Sequence, residues 1–115
     1  MSDCVFCMIA NGTIPASIVW QNEHIVAFAD LHPQAPVHVL VIPREHYTGM
    51  ADDVPGRVYA SLCEAVPHVA AAAGVAESGY RLIVNTGPDA GQTVPHLHVH
   101  LLGGAAMSEG MVKLA

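Results

Sequence analysis

The sequence predicts an α+β fold: a five-stranded antiparallel sheet with one main helix and a short helix at the N-terminus. Three observations carry that reading. Five short runs of β-branched and aliphatic residues are bounded by Gly, Pro and Asn turns. One longer run places Val58, Leu62, Ala65, Val66, Val69 and Ala73 at helical rather than alternating spacing. The connections between strand runs are short enough for antiparallel neighbours, except the one that holds the helix.

Taken in order, the segment from Cys4 to Gly12 reads as a short helical turn stopped by Gly12, with Ile14-Pro15 breaking it. Ile18–Trp20 and Ile25–Ala29 are two short strands around a Gln21-Asn22-Glu23-His24 turn. Asp30–Pro36 is a loop with two prolines, and Val37–Ile42 is the most apolar strand, ended by Pro43. Asp52-Asp53 followed by Pro55 has the form of a helix start. Pro67 lies inside the helical pattern and should kink it, and Gly74 is a plausible stop. Tyr80–Val84 is the fourth strand and His96–Leu102 the fifth. Residues 103–115 carry no strong pattern.

Composition bounds the function. The 115 residues make one domain, 52% hydrophobic and only 12% charged, which is apolar for so small a chain. A large oligomer interface is the simplest place for the excess. Net charge is −6, and the fixed cations are Arg44, Arg57, Arg81 and Lys113, so no basic patch exists for nucleic acid or an anionic membrane. No apolar run approaches a membrane span. The start Met1-Ser2-Asp3-Cys4 is acidic with no apolar stretch typical of a secretion signal after it. With three cysteines, that leads us to expect reduced thiols in the cytoplasm.

The stretch most suited to chemistry is His96-Leu97-His98-Val99-His100-Leu101-Leu102. As a strand it sends His96, His98 and His100 to one face and the aliphatic residues to the other. His96 and His100 would then be ~13 Å apart at their Cα atoms, too far for one metal ion to take all three. Zinc could take two neighbours if another strand supplied a third ligand. The other option divides labour: one neutral imidazole attacks phosphorus while its neighbours orient it or touch the substrate. The loop Asn85–Pro95 just before is rich in Gly, Pro and small polar residues, and could offer N–H groups to phosphate oxygens.

The pattern His-φ-His-φ-His-φ-φ at 96–102 resembles the histidine-triad family of nucleotide hydrolases and transferases. The resemblance extends to Cys4-Val5-Phe6-Cys7, Gly12-Thr13-Ile14-Pro15, Ala27-Phe28-Ala29-Asp30, Pro33–His38, Val41–His46 and Ala90-Gly91-Gln92-Thr93, about residues 3–104 in all. Residues 1–104 are thus the expected domain and 105–115 a C-terminal tail. The Leu102-Gly103-Gly104 ending is most similar to the Hint-like branch, the purine nucleoside phosphoramidases. Thr93 stands where that branch often has serine, and the tail lacks the aromatic, proline-rich ending of animal members.

The resemblance implies roles. His98 would attack the α-phosphate and form a nucleotidyl-histidine, and His100 would contact the phosphate. Thr93 would place a hydroxyl near the leaving group, and His38 would support the site from the adjacent strand. Asp30 would hold the ribose hydroxyls, with Phe28 and Leu31 near the base. Asn85 and Gln92, with Gly91 beside them, would orient phosphate or His98. The resemblance also implies structural zinc at Cys4, Cys7, His46 and His96, and a homodimer with a continuous ten-stranded sheet. Hydrolysis of adenosine 5′-phosphoramidates to AMP and amine is the expected activity. The alternatives are hydrolysis of dinucleoside polyphosphates, a zinc hydrolase using His96, His98 and His38, or a zinc- and nucleotide-binding scaffold. For Cys4 and Cys7 the other readings are a redox pair, disfavoured because no strand precedes it, and a pair of free thiols. Cys63 is expected to be a buried small hydrophobe, Trp20 and Tyr80 core or interface residues, and His24, His32 and His68 solvated.

Overall fold

A computed structural model describes residues 3–115; the expectation resting on Met1 and Ser2 lies outside them. Helix α1 (Val5–Ala10) is followed by strands β1 (Ile18–Gln21), β2 (Ile25–Ala29) and β3 (Val37–Pro43), helix α2 (Gly56–Ala72), and strands β4 (Tyr80–Ile83) and β5 (Val99–Gly103). A 3-10 turn, Pro88–Ala90, interrupts the last loop. All five strands form one sheet in the order β1-β2-β3-β5-β4, every pair antiparallel. The predicted fold class is the observed one. Among the described residues no helix is long and apolar enough to cross a membrane.

The two faces of the sheet do different work, and the period of two decides which residue goes where. Ile25 and Ala27 of β2, Val39 and Val41 of β3, and Val99 and Leu101 of β5 pack under α2, against Val58, Leu62, Ala65, Val66, Val69 and Ala70. The opposite face carries Val26, Phe28, Leu40 and Ile42, covered by Phe6 of α1. Register then fixes a row across that second face, because Phe28 pairs with Leu40 and Leu40 pairs with His100. His38, two residues before Leu40, joins the same face. The apolar alternation that builds the core under α2 thereby lines up histidines on the other side.

Several local expectations need correction. The ladder of β5 begins at Val99, not His96. Pro95 lacks an N–H, the His96 N–H turns back to the Val94 carbonyl at 2.9 Å, and the Leu97 N–H is drawn to the Tyr47 carbonyl at 2.6 Å, so this run bends and lies off the sheet. Asp52 and Asp53 do not cap α2: Pro55 is the N-cap and makes no side-chain bond. Asp52 Oδ2 instead accepts from the Thr48 N–H at 2.8 Å, and Asp53 has φ of +45°. Helix α2 runs on from Gly56 to Ala72 through Pro67. Cys63 is exposed, because the buried face of α2 is set by Leu62, Ala65 and Val66 and leaves position 63 outside it. His68 is exposed but stacked on Trp20, the rings 5.2 Å apart and 5° from parallel. Beyond Gly103 the tail has no helix or strand, although the Arg81 guanidinium donates to the Ser108 carbonyl at 2.9 Å.

Candidate active site

On the face away from α2 lies a cavity of about 430 Å³. Helix α1 supplies Val5, Phe6 and Ile9 as one wall, and the segment from Ile14 to Ser17 supplies another. Phe28 and Leu40 form an apolar floor that ends at His98 and His100, with Asp30, Leu31 and Thr93 around the opening. An apolar chamber closed at one end by a few polar groups is the usual form of a small-molecule site. Among the described residues no Lys or Arg lines it.

The hydrogen bonds fix how the imidazoles are protonated. The Gln34 N–H donates to His38 Nδ1 at 3.0 Å, so the neutral His38 ring carries its proton on Nε2. That Nε2–H points at His100 Nδ1, 2.9 Å away, which must accept. The His100 proton is then on Nε2, and this buried atom has no partner. His98 is arranged the other way. Its Nδ1 lies 2.6 Å from the His96 carbonyl, which can only accept, so Nδ1 carries the proton and Nε2 keeps its lone pair. The His98 and His100 rings are 5.0 Å apart. The result is a ring with a bare nitrogen next to a ring with an unpaired N–H donor, both at the polar end of the cavity.

Burial keeps His38 and His100 neutral. It pushes His100 down to about 4, helped by the neighbouring His98 and His38. It also lowers His38, against a smaller opposing pull from the Asp30 carboxylate 3.5 Å away. An unpaired buried donor costs free energy, roughly 1–3 kcal/mol, that an anionic acceptor arriving at His100 would recover.

A second cluster sits behind α1. Cys4 Sγ, Cys7 Sγ, His46 and His96 each offer one ligand atom, all within 4.8 Å of one another, and could hold a metal ion. His96 Nδ1 is 3.5 Å from both sulfurs, and His46 Nδ1 is 3.2 Å from Cys7 Sγ. His96 Nε2 donates to the Pro43 carbonyl at 2.9 Å, which leaves Nδ1 unprotonated and facing the thiols. That outer bond is what a ligating histidine needs to hold its tautomer. Neighbouring contacts anchor the chain on both sides of His46. Arg44 donates to the carbonyls of Ala10 and Asn22 and to Gln21 Oε1, while Glu45 pairs with Arg57 of α2 and accepts from Tyr47. The predicted ligand residues are thus brought together, although Cys4 and His96 are 92 positions apart.

The structure divides the other expected site residues. Phe28, Asp30, Leu31, Thr93, His98 and His100 line the cavity, and His38 stands directly behind His100. Asn85, Gly91 and Gln92 do not line it. The Gln92 amide is spent on backbone groups: Oε1 accepts from the Gly87 N–H, and Nε2 donates to the carbonyls of Val94 and of the distant Thr48. Gly91 takes φ of +78° to close the 3-10 turn. Sequence reasoning missed the α1 wall. The available signal was the apolar Val5, Phe6 and Ile9 interleaved with Cys4 and Cys7 on a helix too short to have a core of its own.

Residues 11–107 match the family model described as the HIT domain. An uncharacterised 13.2 kDa HIT-like protein of Azospirillum brasilense is 46% identical over 113 residues, covering 95% of this chain and 92% of its own length. A 14 kDa zinc-binding protein of Zea mays is 39% identical over 111 residues, covering 93% of this chain and 86% of its own. Among solved structures, a HIT family hydrolase from Clostridium thermocellum superposes with a TM-score of 0.91 at 42% identity, over 97% of this chain and 99% of that one.

Proposed function

Because this chain belongs to the HIT-domain family, we propose that it hydrolyses purine nucleoside phosphoramidates at the α-phosphate through a nucleotidyl-histidine on His98. One observation carries the reading: the His98 ring, with a free lone pair on Nε2, stands next to the His100 ring, with an unpaired Nε2–H, at the end of an apolar cavity. A nucleophile next to a donor without an acceptor suits attack on a phosphoryl group.

In this mechanism the base lies against Phe28 and Leu31, and Asp30 accepts from the ribose hydroxyls. His98 Nε2 attacks phosphorus and the P–N bond breaks, the amine leaving past the Thr93 hydroxyl with a proton taken from solvent, which the attacking water returns to solvent in the second step. His100 Nε2–H donates to a non-bridging phosphate oxygen, and His38 keeps that proton on Nε2 by donating to His100 Nδ1. The positive charge that develops on His98 is met by the His96 carbonyl at Nδ1. Water then attacks the phosphorus, releases the nucleoside monophosphate and returns His98 to its neutral form.

The absence of Lys and Arg among the described residues of the cavity lining favours this substrate class over dinucleoside polyphosphates. A phosphoramidate brings about one negative charge to the site. A polyphosphate chain brings several, which this site has no fixed cation to meet.

Zinc suits the second cluster. Zn–S of about 2.3 Å and Zn–N of about 2.0–2.1 Å give an S···N edge near 3.5 Å in a tetrahedron, and two of the observed separations are 3.5 Å. Held by Cys4, Cys7, His46 and His96, the ion would supply folding energy, and the chemistry would remain with the histidines. The working unit in this reading is a homodimer paired through the β4 edge, where Leu82 is 44% and Ile83 37% exposed beside Met50, Tyr59 and Cys63 of an apolar groove. Three free thiols suit a reducing cytoplasm.

The test is a substrate panel. Adenosine phosphoramidate should turn over well and diadenosine tetraphosphate poorly; the reverse order would reject the assignment.

A further inference from the structure

Phe6 touches both clusters at once. Its ring centroid lies 5.9 Å from that of His96 and 5.1 Å from that of His98, edge-on at 68° and 87°. On its other side it meets Phe28 at 5.4 Å and 71°. The side chain is buried, and it lines the cavity. The His98 ring has one hydrogen bond, from Nδ1 to the His96 carbonyl. A single bond at one corner leaves a ring free to swing about that corner. Its plane is set by what packs against it, and here the packing partners are Phe6 and the His100 ring, 5.0 Å away.

Phe6 cannot hold this place through its own helix. Helix α1 has six residues, far below the length at which a helix is stable by itself. Its N-cap is the Cys4 sulfur, accepting from the Cys7 N–H at 3.5 Å, so the helix start and the metal-ligand cluster are the same atoms. Fixing Cys4 and Cys7 against His46 and His96 therefore fixes Phe6 between them.

We propose that Phe6 is a positioning residue for His98: it holds the imidazole with Nε2 facing the cavity, and it passes the rigidity of the Cys4–Cys7–His46–His96 cluster to the attacking nitrogen. The catalytic half of this proposal rests on the reading of His98 as nucleophile.

The test is Phe6→Leu, which keeps an apolar side chain at the cavity wall and removes the ring edge. The variant should retain full metal content, bind AMP within about threefold of wild type by calorimetry, and lose about tenfold in kcat with adenosine phosphoramidate. A raised KM at unchanged kcat would overturn the proposal, since Phe6 would then be wall alone, and so would unchanged kinetics. A second measurement needs no turnover. In nitrogen-labelled wild-type protein the His98 Nδ1–H resonance should be sharp, and it should broaden or vanish both in Phe6→Leu and in wild type stripped of metal by a chelator. A signal that stays sharp after stripping would overturn the proposal, and this arm decides alone if Phe6→Leu fails to fold or to hold metal. Absence of any nucleotidyl adduct on wild-type His98 would defeat the proposed function, while the resonance would still report on Phe6.

Discussion

His96 and His98 are two residues apart in the segment that leads into β5, yet the structure uses them in opposite ways. At His96 the outer bond goes to Nε2, through the Pro43 carbonyl, and Nδ1 converges with two sulfurs and another imidazole. At His98 the outer bond goes to Nδ1, through the His96 carbonyl, and Nε2 is left facing a cavity. One arrangement gathers lone pairs at a point, which suits a cation. The other sets the tautomer of His100 through the hydrogen bond from His38 and leaves a ring with a free donor beside a ring with a free lone pair, which suits an anion. The residue type is the same in both; which nitrogen is tied down decides the chemistry.

The comparison can be broken from either side. The largest effect should come from His98→Ala, which removes the attacking nitrogen. Turnover of adenosine phosphoramidate should fall by at least ~10³-fold with AMP binding preserved. A variant that kept more than a tenth of wild-type kcat would show that the nucleophile lies elsewhere.

Removing the gathered lone pairs should act on folding instead. Cys4→Ser with Cys7→Ser should abolish metal binding and lower the melting temperature by roughly 10 °C or more. The folded fraction should keep His98 chemistry, weakened through Phe6. Wild-type protein prepared without chelators and found free of metal would remove the basis for treating the two groups as different.

Smaller again is the loss of the anion donor. His100→Ala should lower kcat by ~10²-fold, the cost of one donor to a charge that grows in the transition state. His38→Ala should cost less, because it frees the His100 tautomer without removing the ring. If His38→Ala proved the more damaging of the two, the role given to the hydrogen bond from His38 to His100 would be wrong.

The smallest effect is on stability against pH. Burial holds His100 down to about 4 and lowers His38 as well, both from an ordinary value of 6.5. Below that ordinary value the unfolded chain takes up protons that the native rings refuse. Stability is therefore full above about pH 6.5 and declines as pH falls toward about 4. Urea midpoints should drop between these values, and His100→Gln should flatten the slope. A midpoint that rises on acidification would contradict the buried, neutral rings.

Much of this was legible in the chain because it depends on local period. The alternation in His96–Leu102 put His96, His98 and His100 on one face before any contact was known, while the register of β3 against β5 that brings His38 beside His100 shows only in the structure. The CxxC pair and its two distant histidines became readable only through the family pattern, since Cys4 and His96 meet across 92 positions. What stayed hidden was set by partners far along the chain. Tyr47 pulls Leu97 off the ladder and shortens β5. The Thr48 carbonyl, 44 positions away, and the Gly87 N–H take up the Gln92 amide, and Gln92 does not line the cavity. Cys63 misses the buried face of α2 by one position. Phe6 carries no signal of its own in the sequence, and only its two ring contacts show it between His96 and His98.

The central claim is that, of His38, His98 and His100, it is His98 that presents a free imidazole nitrogen to the substrate. Mass spectrometry on protein quenched during turnover of adenosine phosphoramidate tests it most directly. The account predicts one AMP adduct, acid-labile and mapping to His98, absent from His98→Ala. An adduct on His38, on His100 or on any other residue, or steady turnover by His98→Ala, would contradict it.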